Sequence, residues 1–282
     1  MERQKQAIAI HDISCIGKCS LTVALPVLSA AGISCAVIPT SILSSHTGGF
    51  TDYTFRDLTE DILPILAHWS SLHLDVDAIY TGYLGSKEQT ALMALVFDRL
   101  STPGTLLCVD PVMGDMGRLY AGFDLDFPAQ MAKLCQRAHI LTPNITEACF
   151  LLGEPYHEPP YTKAYISRLI RELSTAFSAK VVLTGVQFDE SQVGAAAFDP
   201  SDGALTFALR PYVEGRYHGT GDLFASALLS ALLSGLSLPR AAEVAVYFVS
   251  KAIEKTPKGH DLKYGVRFEA ALPTLMRDLG LI

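Results

Sequence analysis

The sequence predicts an α/β fold: a mostly parallel central sheet covered by helices on both faces, with one antiparallel hairpin. Three observations carry that prediction. Short apolar runs of strand length alternate with runs of helical length, as in successive strand–helix–strand units. Polar or small residues follow the expected strands at Asp12, Gly82-Tyr83, Asp110, Asn144 and Thr184, and ligands of open α/β sheets bind beyond the carboxyl ends of the strands. Late in the chain, Val193–Phe198 and Ala204–Leu209 alternate around Asp199-Pro200-Ser201-Asp202-Gly203, a hairpin signal.

In chain order, Ala7–Ile10 is expected as a buried strand ending at His11-Asp12. Ser20 is placed to cap a helix running to about Ala31, with Gly32 as its stop and Pro26 as a kink. Ile33–Ile38 reads as a strand before the polar loop Ser41–Phe50, and Asp57–Ser71 has helical periodicity. Strand Asp77–Tyr80 stops at Thr81-Gly82-Tyr83-Leu84-Gly85; helix Lys87–Leu100 and strand Thr105–Val109 follow. Then come a helix near Phe127–Gln136, strand His139–Leu141, a helix begun through Thr142-Pro143-Asn144, a helix near Thr162–Ala176, and strand Val181–Leu183. After the hairpin, helices are expected over Leu223–Leu233, Arg240–Glu254 and Arg267–Leu279. With no internal repeat, low-complexity tract or linker, the whole chain, 1–282, reads as one domain.

A net charge of −7 without a basic stripe argues against a nucleic-acid partner. The first apolar run, Ala7–Ile10, is too brief for a signal-peptide core, which argues against export. The longest uncharged run, Leu223–Pro239, carries Ser226, Ser230, Ser234 and Gly235 and reads as a buried helix rather than a membrane span. The 6 cysteines lack Cys-x-x-Cys spacing, so free thiols in a reducing cytoplasm are expected.

The chemistry gathers in a few stretches. In His218-Gly219-Thr220-Gly221-Asp222 two glycines precede an apolar helix, an arrangement suited to a phosphate at the helix N-terminus. Asp222 then reads either as a base taking a proton from an attacking hydroxyl, or as an acid favoured near a helix start. Asp110-Pro111-Val112-Met113-Gly114-Asp115 places two acids in a tight loop, suited to Mg²⁺ held through water or to a turn capped by Asp110. In Thr142-Pro143-Asn144-Ile145-Thr146-Glu147, Asn144 and Glu147 fit a capping box, with Glu147 facing the same ion as the rival reading. Thr184-Gly185 is a strand end or a hydroxyl for phosphate; His46, in the polar loop, is solvated or touches a ligand. No zinc-ligand spacing, Gly-x-Ser-x-Gly elbow or P-loop is present.

Together, the Asp110–Asp115 stretch, Thr142-Pro143-Asn144 with Glu147, and Gly219-Thr220-Gly221-Asp222 resemble the ribokinase-like superfamily. Ser45-His46-Thr47 and Thr81-Gly82-Tyr83-Leu84-Gly85-Ser86 are similar to its pyridoxal kinase branch, and the resemblance runs over nearly the whole chain. It implies a three-layer α/β/α fold and ATP-dependent phosphorylation of the 5′-hydroxymethyl group of pyridoxal, pyridoxine or pyridoxamine. By position, Asp222 is the implied base and Gly219, Thr220 and Gly221 the anion hole. Asn144 and Thr184 would lie along the ATP phosphates, and Asp110 and Glu147 would support Mg²⁺. Asp12, His46, Thr47 and Tyr83 would face the B6 ring. The resemblance leaves room for a monovalent cation such as K⁺ and implies a homodimer. Many pyridoxal kinases have Ser-His where this chain has Asp12-Ile13, so Asp12 is expected to pair with the pyridine nitrogen or ring hydroxyl. Asp12-Ile13-Ser14 is also similar to hydroxymethylpyrimidine kinases, which keeps that substrate open. A non-catalytic ATP or B6 sensor is the third reading, against which Asp222 itself argues.

Overall fold

The computed structural model describes residues 3–282. Strand β1 (Gln6–Ser14) leads to helix α1 (Leu21–Ala30), β2 (Ser34–Leu43), β3 (Phe55–Asp57) and α2 (Thr59–Ser71). The chain continues through β4 (Ala78–Thr81), α3 (Lys87–Leu100), β5 (Leu106–Val109) and a small hairpin of β6 (Gly114–Asp115) and β7 (Arg118–Leu119). Helix α4 (Phe127–Cys135), β8 (Ile140–Leu141), α5 (Ile145–Leu152) and α6 (Lys163–Phe177) precede a meander of β9 (Lys180–Asp189), β10 (Gln192–Asp199) and β11 (Ala204–Pro211). Helices α7 (Thr220–Leu233), α8 (Leu238–Lys255) and α9 (Leu272–Asp278) complete the chain.

Among the described residues the main sheet has nine strands in the order β11-β10-β9-β8-β5-β4-β1-β2-β3. Pairing is parallel from β2 across to β9 and antiparallel for β9–β10, β10–β11 and β2–β3. Alternation along β1 shows how the layers are set. Ile8 and Ile10 point into the core shared with α2, α3, α4, α5 and α6, whereas Ala7 and Ala9 face the side of α1 and α7. Small residues on that second face let α1 and α7 lie close to the sheet, where Leu21, Ala24, Ala225 and Leu229 join them. No helix among the described residues is long and apolar enough to cross a membrane.

Several expected boundaries move. β1 runs past His11-Asp12 to Ser14, because pairing with β2 continues beyond a register shift between His11 and Ile13. Asp12 therefore sits at an irregularity within a strand rather than beyond its end. Thr184 likewise lies inside β9: parallel pairing to β8 ends at Leu141–Val181, but β10 goes on supplying hydrogen bonds. Ser20 stands at the start of α1 with φ 50° and makes no side-chain cap bond, so it does not cap as expected. The helix expected over Arg267–Leu279 is split into a 3₁₀ turn at Phe268–Ala270 and α9.

Candidate active site

The cleft is built on the N-terminus of α7. Gly219 occupies its cap position at φ 76° and, lacking a side chain, makes no cap bond to the first turn. The N–H groups there lack intrahelical partners and, with the positive end of the dipole, suit an anion. The Thr220 hydroxyl is occupied, donating to the Tyr217 carbonyl at 3.0 Å. Gly221 is exposed. Asp222 follows in the first turn with 14% of its side chain accessible. Burial lifts its carboxyl to a pKa of about 7, and the charge of Asp12 adds to the rise.

Asp12 is buried and accepts the Ser14 hydroxyl at 2.8 Å; burial raises its pKa above the ordinary carboxylate range. Its charge also reaches Tyr83, whose phenol is pushed up to about 12, by burial first and Asp12 next. The Tyr83 ring tilts over Phe123 at 5.6 Å, and Phe123 stacks on Phe127 at 3.8 Å, so an aromatic wall stands beside Asp12. Across the loop, His46 accepts the Gly48 N–H on Nδ1 at 3.0 Å, which assigns its proton to Nε2, donated to the Lys263 carbonyl at 2.6 Å. Both nitrogens are thus engaged within the protein. What His46 keeps for a ligand is its ring, already near Phe50 at 5.0 Å and His218 at 4.9 Å. Thr47 is exposed beside it.

Asp110 and Glu147 are both buried. Burial, then the charges of Glu147 and Asp222, hold Asp110 well above the carboxylate range. Burial raises Glu147 to about 8, against the pull of backbone N–H groups that include those of Asn144 and Met113. Glu147 accepts from Asn144 N at 2.9 Å and Met113 N at 3.2 Å, while the Asn144 side chain accepts from Glu147 N at 2.9 Å. The capping box expected from sequence is therefore formed, and the same carboxylate faces Asp110. The Asn144 amide donates to the Gly114 carbonyl at 2.9 Å, so its side chain is committed to holding the β6–β7 hairpin. Thr184 bridges to Asn144 in parallel register, and its N–H donates to Pro143 O at 2.9 Å.

Every candidate residue named from sequence thus lies at the carboxyl end of the sheet. Two participants were not marked by sequence. His11 is buried 3.8 Å from Asp222, and no motif or ligand spacing in the sequence marks it. Arg216 reaches to 3.8 Å from Asp115 Oδ2, joining the segment before the anion site to the β6–β7 hairpin. No local motif announces a contact between residues a hundred positions apart. A separate cavity of about 280 Å³, lined by Trp69, His73, Arg99 and Thr102 among others, opens at the opposite end of the sheet, away from these groups.

Comparison with known proteins gives the family and the fold. Residues 24–267 match the phosphomethylpyrimidine kinase family. The pyridoxine/pyridoxal/pyridoxamine kinase of Bordetella avium is 32% identical over 263 residues, 88% of this chain and 84% of that one. A Bacteroides thetaiotaomicron protein, provisionally described as a phosphomethylpyrimidine kinase and crystallised with pyridoxal, superposes with a TM-score of 0.92 at 36% identity, covering 97% of this chain and 96% of its own. Pyridoxal kinase from Lactobacillus plantarum superposes at 0.89 with 32% identity over 98% of each chain. The chain belongs to the phosphomethylpyrimidine kinase family, and is a phosphotransferase acting on an alcohol group.

Proposed function

We propose that this protein uses ATP to phosphorylate the 5′-hydroxymethyl group of pyridoxal, pyridoxine or pyridoxamine. The observation that carries the reading is Asp222: a carboxyl with proton affinity near neutrality at the mouth of an uncapped helix N-terminus. In this reading Asp12 and Tyr83, which share an electrostatic neighbourhood with it, receive the acceptor, and Asp110 and Glu147 serve the nucleotide. Similarity to the Bordetella kinase and to the Bacteroides protein crystallised with pyridoxal supports the acceptor. In the step, the acceptor hydroxyl passes its proton to Asp222 as its oxygen bonds to the γ-phosphorus. The bond from that phosphorus to the bridging oxygen breaks, and ADP leaves with the electron pair. First-turn N–H groups of α7 receive the charge on the transferring group.

Asp110 and Glu147 fit Mg²⁺. They are two buried carboxylates, and the charge of Glu147 adds to the cost of ionising Asp110, so a divalent cation between them would relieve that cost. Among the described residues no three Asp, Glu, His or Cys side chains form a cage; Mg²⁺ commonly takes one or two carboxylates and completes its shell with water and phosphate oxygens. When bound, the ion supplies charge neutralisation along the phosphates.

The acceptor side makes its own prediction. Tyr83→Ala removes one ring of the aromatic wall and should raise KM for pyridoxal roughly 3- to 10-fold, the worth of an aromatic contact, while KM for ATP stays flat. Equal rises for both substrates would take Tyr83 out of the ring pocket. The reading as a whole is tested by ADP release with pyridoxal, with hydroxymethylpyrimidine and with no acceptor, at saturating Mg·ATP. Release with pyridoxal well above the other two is expected. Preference for hydroxymethylpyrimidine, the alternative that the family description favours, would reassign the acceptor, and release with neither would leave a sensor.

A further inference from the structure

His11 is fully buried on β1, one residue before Asp12, and among the described residues neither of its ring nitrogens has a hydrogen-bond partner. A buried polar group left unpaired is costly, and native folds keep few of them. Burial drives its pKa down to about 3, so the ring is neutral near pH 7 and its approach to Asp222 is not an ion pair. Nδ1 lies 3.8 Å from Asp222 Oδ1. The ring is fixed on both sides. Tyr80 meets it edge-on at 4.3 Å, and a Cβ at residue 82 would fall 2.1 Å from Nδ1, so only a glycine there admits the imidazole. The supporting strands are tied together as well, with Gly82 N donating to Ile10 O at 3.0 Å.

We infer that His11 is a positioning residue for Asp222: its imidazole, protonated on Nδ1, donates to one carboxylate oxygen and turns the other toward the acceptor hydroxyl. The inference rests on Asp222 being the base of the proposed reaction. Catalytic hydrogen bonds are commonly long before substrates bind, and a small rotation of the partly exposed Asp222 side chain closes the gap. The other titratable groups facing Asp222 are Asp12 and Cys19 from the β1–α1 segment, Tyr80 from β4, Asp110 beyond β5 and Tyr120 after β7. The carboxylates among them oppose its ionisation. His11 brings a neutral donor against that opposition.

The test compares His11→Met, of similar bulk without a donor, with His11→Gln, which keeps one. His11→Met should lower kcat about 10- to 100-fold, the worth of a hydrogen bond to a charged group, with both KM values within about twofold. Its acid limb in the kcat–pH profile should move to higher pH, since the lost donor favoured the ionised carboxylate. His11→Gln should recover most of the rate and the original limb. Unchanged kcat and limb in His11→Met, or equal losses in both variants matched by equal losses of Tm, would overturn the inference. Should His11→Met fail to fold, the imidazole ¹⁵N shifts of the parent decide. A neutral ring protonated on Nδ1 between about pH 6 and 8 supports the role, and the Nε2 tautomer overturns it. The parent is assayed first. If it is idle on pyridoxal but active on hydroxymethylpyrimidine, the acceptor assignment fails and His11 is tested on the active substrate; if idle on both, the base reading and this inference fall together.

Discussion

Asp222→Asn is expected to lower kcat for pyridoxal phosphate formation by at least about 10²-fold, the usual contribution of a positioned general base. The amide keeps the shape of the carboxyl and loses its basicity, so the KM for ATP should change little. The parent's own kcat should fall as pH drops through about 7, where the buried carboxyl takes up its proton and ceases to act as a base. A variant of near-parental turnover would return Asp222 to the role of an acid favoured at a helix start.

The same substitution carries a stability signature of opposite sign. The folded chain holds the Asp222 proton up to about pH 7, whereas the unfolded chain releases it near the ordinary value of 3.8. Between those values the native state binds more protons than the unfolded one, so stability declines as pH rises through the window and stays lowered above it. Burial displaces Asp110 and Glu147 in the same direction. Without nucleotide or metal, the parent should therefore melt lower at pH 8 than at pH 5. Asp222→Asn should recover about 4 kcal/mol at pH 8 and less than half of that, about 1–2 kcal/mol, at pH 5. A gain of stability together with a loss of turnover is what a strained catalytic carboxyl predicts; a buried aspartate without a catalytic role would show the gain alone.

How much of this was legible in the sequence depended on how local the determinant is. Helix α3 was read to the residue, Lys87–Leu100, because Ser86 caps it by accepting from Gln89 N and no neighbour contests its ends. The Asn144–Glu147 capping box was legible for the same reason, since its partners stand three residues apart and satisfy each other. Strand ends were less legible. β1 and β9 outrun their apolar segments because neighbouring strands go on offering hydrogen bonds, which lies in the pairing rather than in the strand's own composition. Ser20 has the side chain of a cap, but its backbone at φ 50° leaves the cap bond unmade, and its hydroxyl turns toward Asp12 instead. Within the site, sequence supplied the acids and glycines. The engagement of both His46 nitrogens by Gly48 and Lys263 needed a contact across 217 positions.

The two glycines of the anion site should separate cleanly on substitution. At Gly219 the backbone lies at φ 76°, where an L side chain costs on the order of 1–3 kcal/mol. An added Cβ would also fall 1.8 Å from the Lys18 carbonyl oxygen and 3.3 Å from Cys19 Cα, main-chain atoms that no rotamer change can clear. Relief requires the Lys18-Cys19 segment to shift, and with it Ser20, whose backbone supports the Asp222 carboxylate. Gly219→Ala should therefore destabilise the protein by about 3 kcal/mol or more and lower kcat by at least about 10²-fold. At Gly221 a Cβ meets nothing within 4 Å, and the residue lies in the first turn of α7. Alanine there should raise stability by about 0.5–1 kcal/mol through helix propensity alone. If first-turn N–H groups receive the transferring phosphate, the new methyl crowds that approach, and kcat/KM for ATP should still fall by about 10-fold. Melting curves and ATP kinetics on the two variants decide the matter. A Gly221→Ala protein that is more stable and fully active would remove Gly221 from the phosphate site, leaving Gly219 as a packing requirement against Lys18.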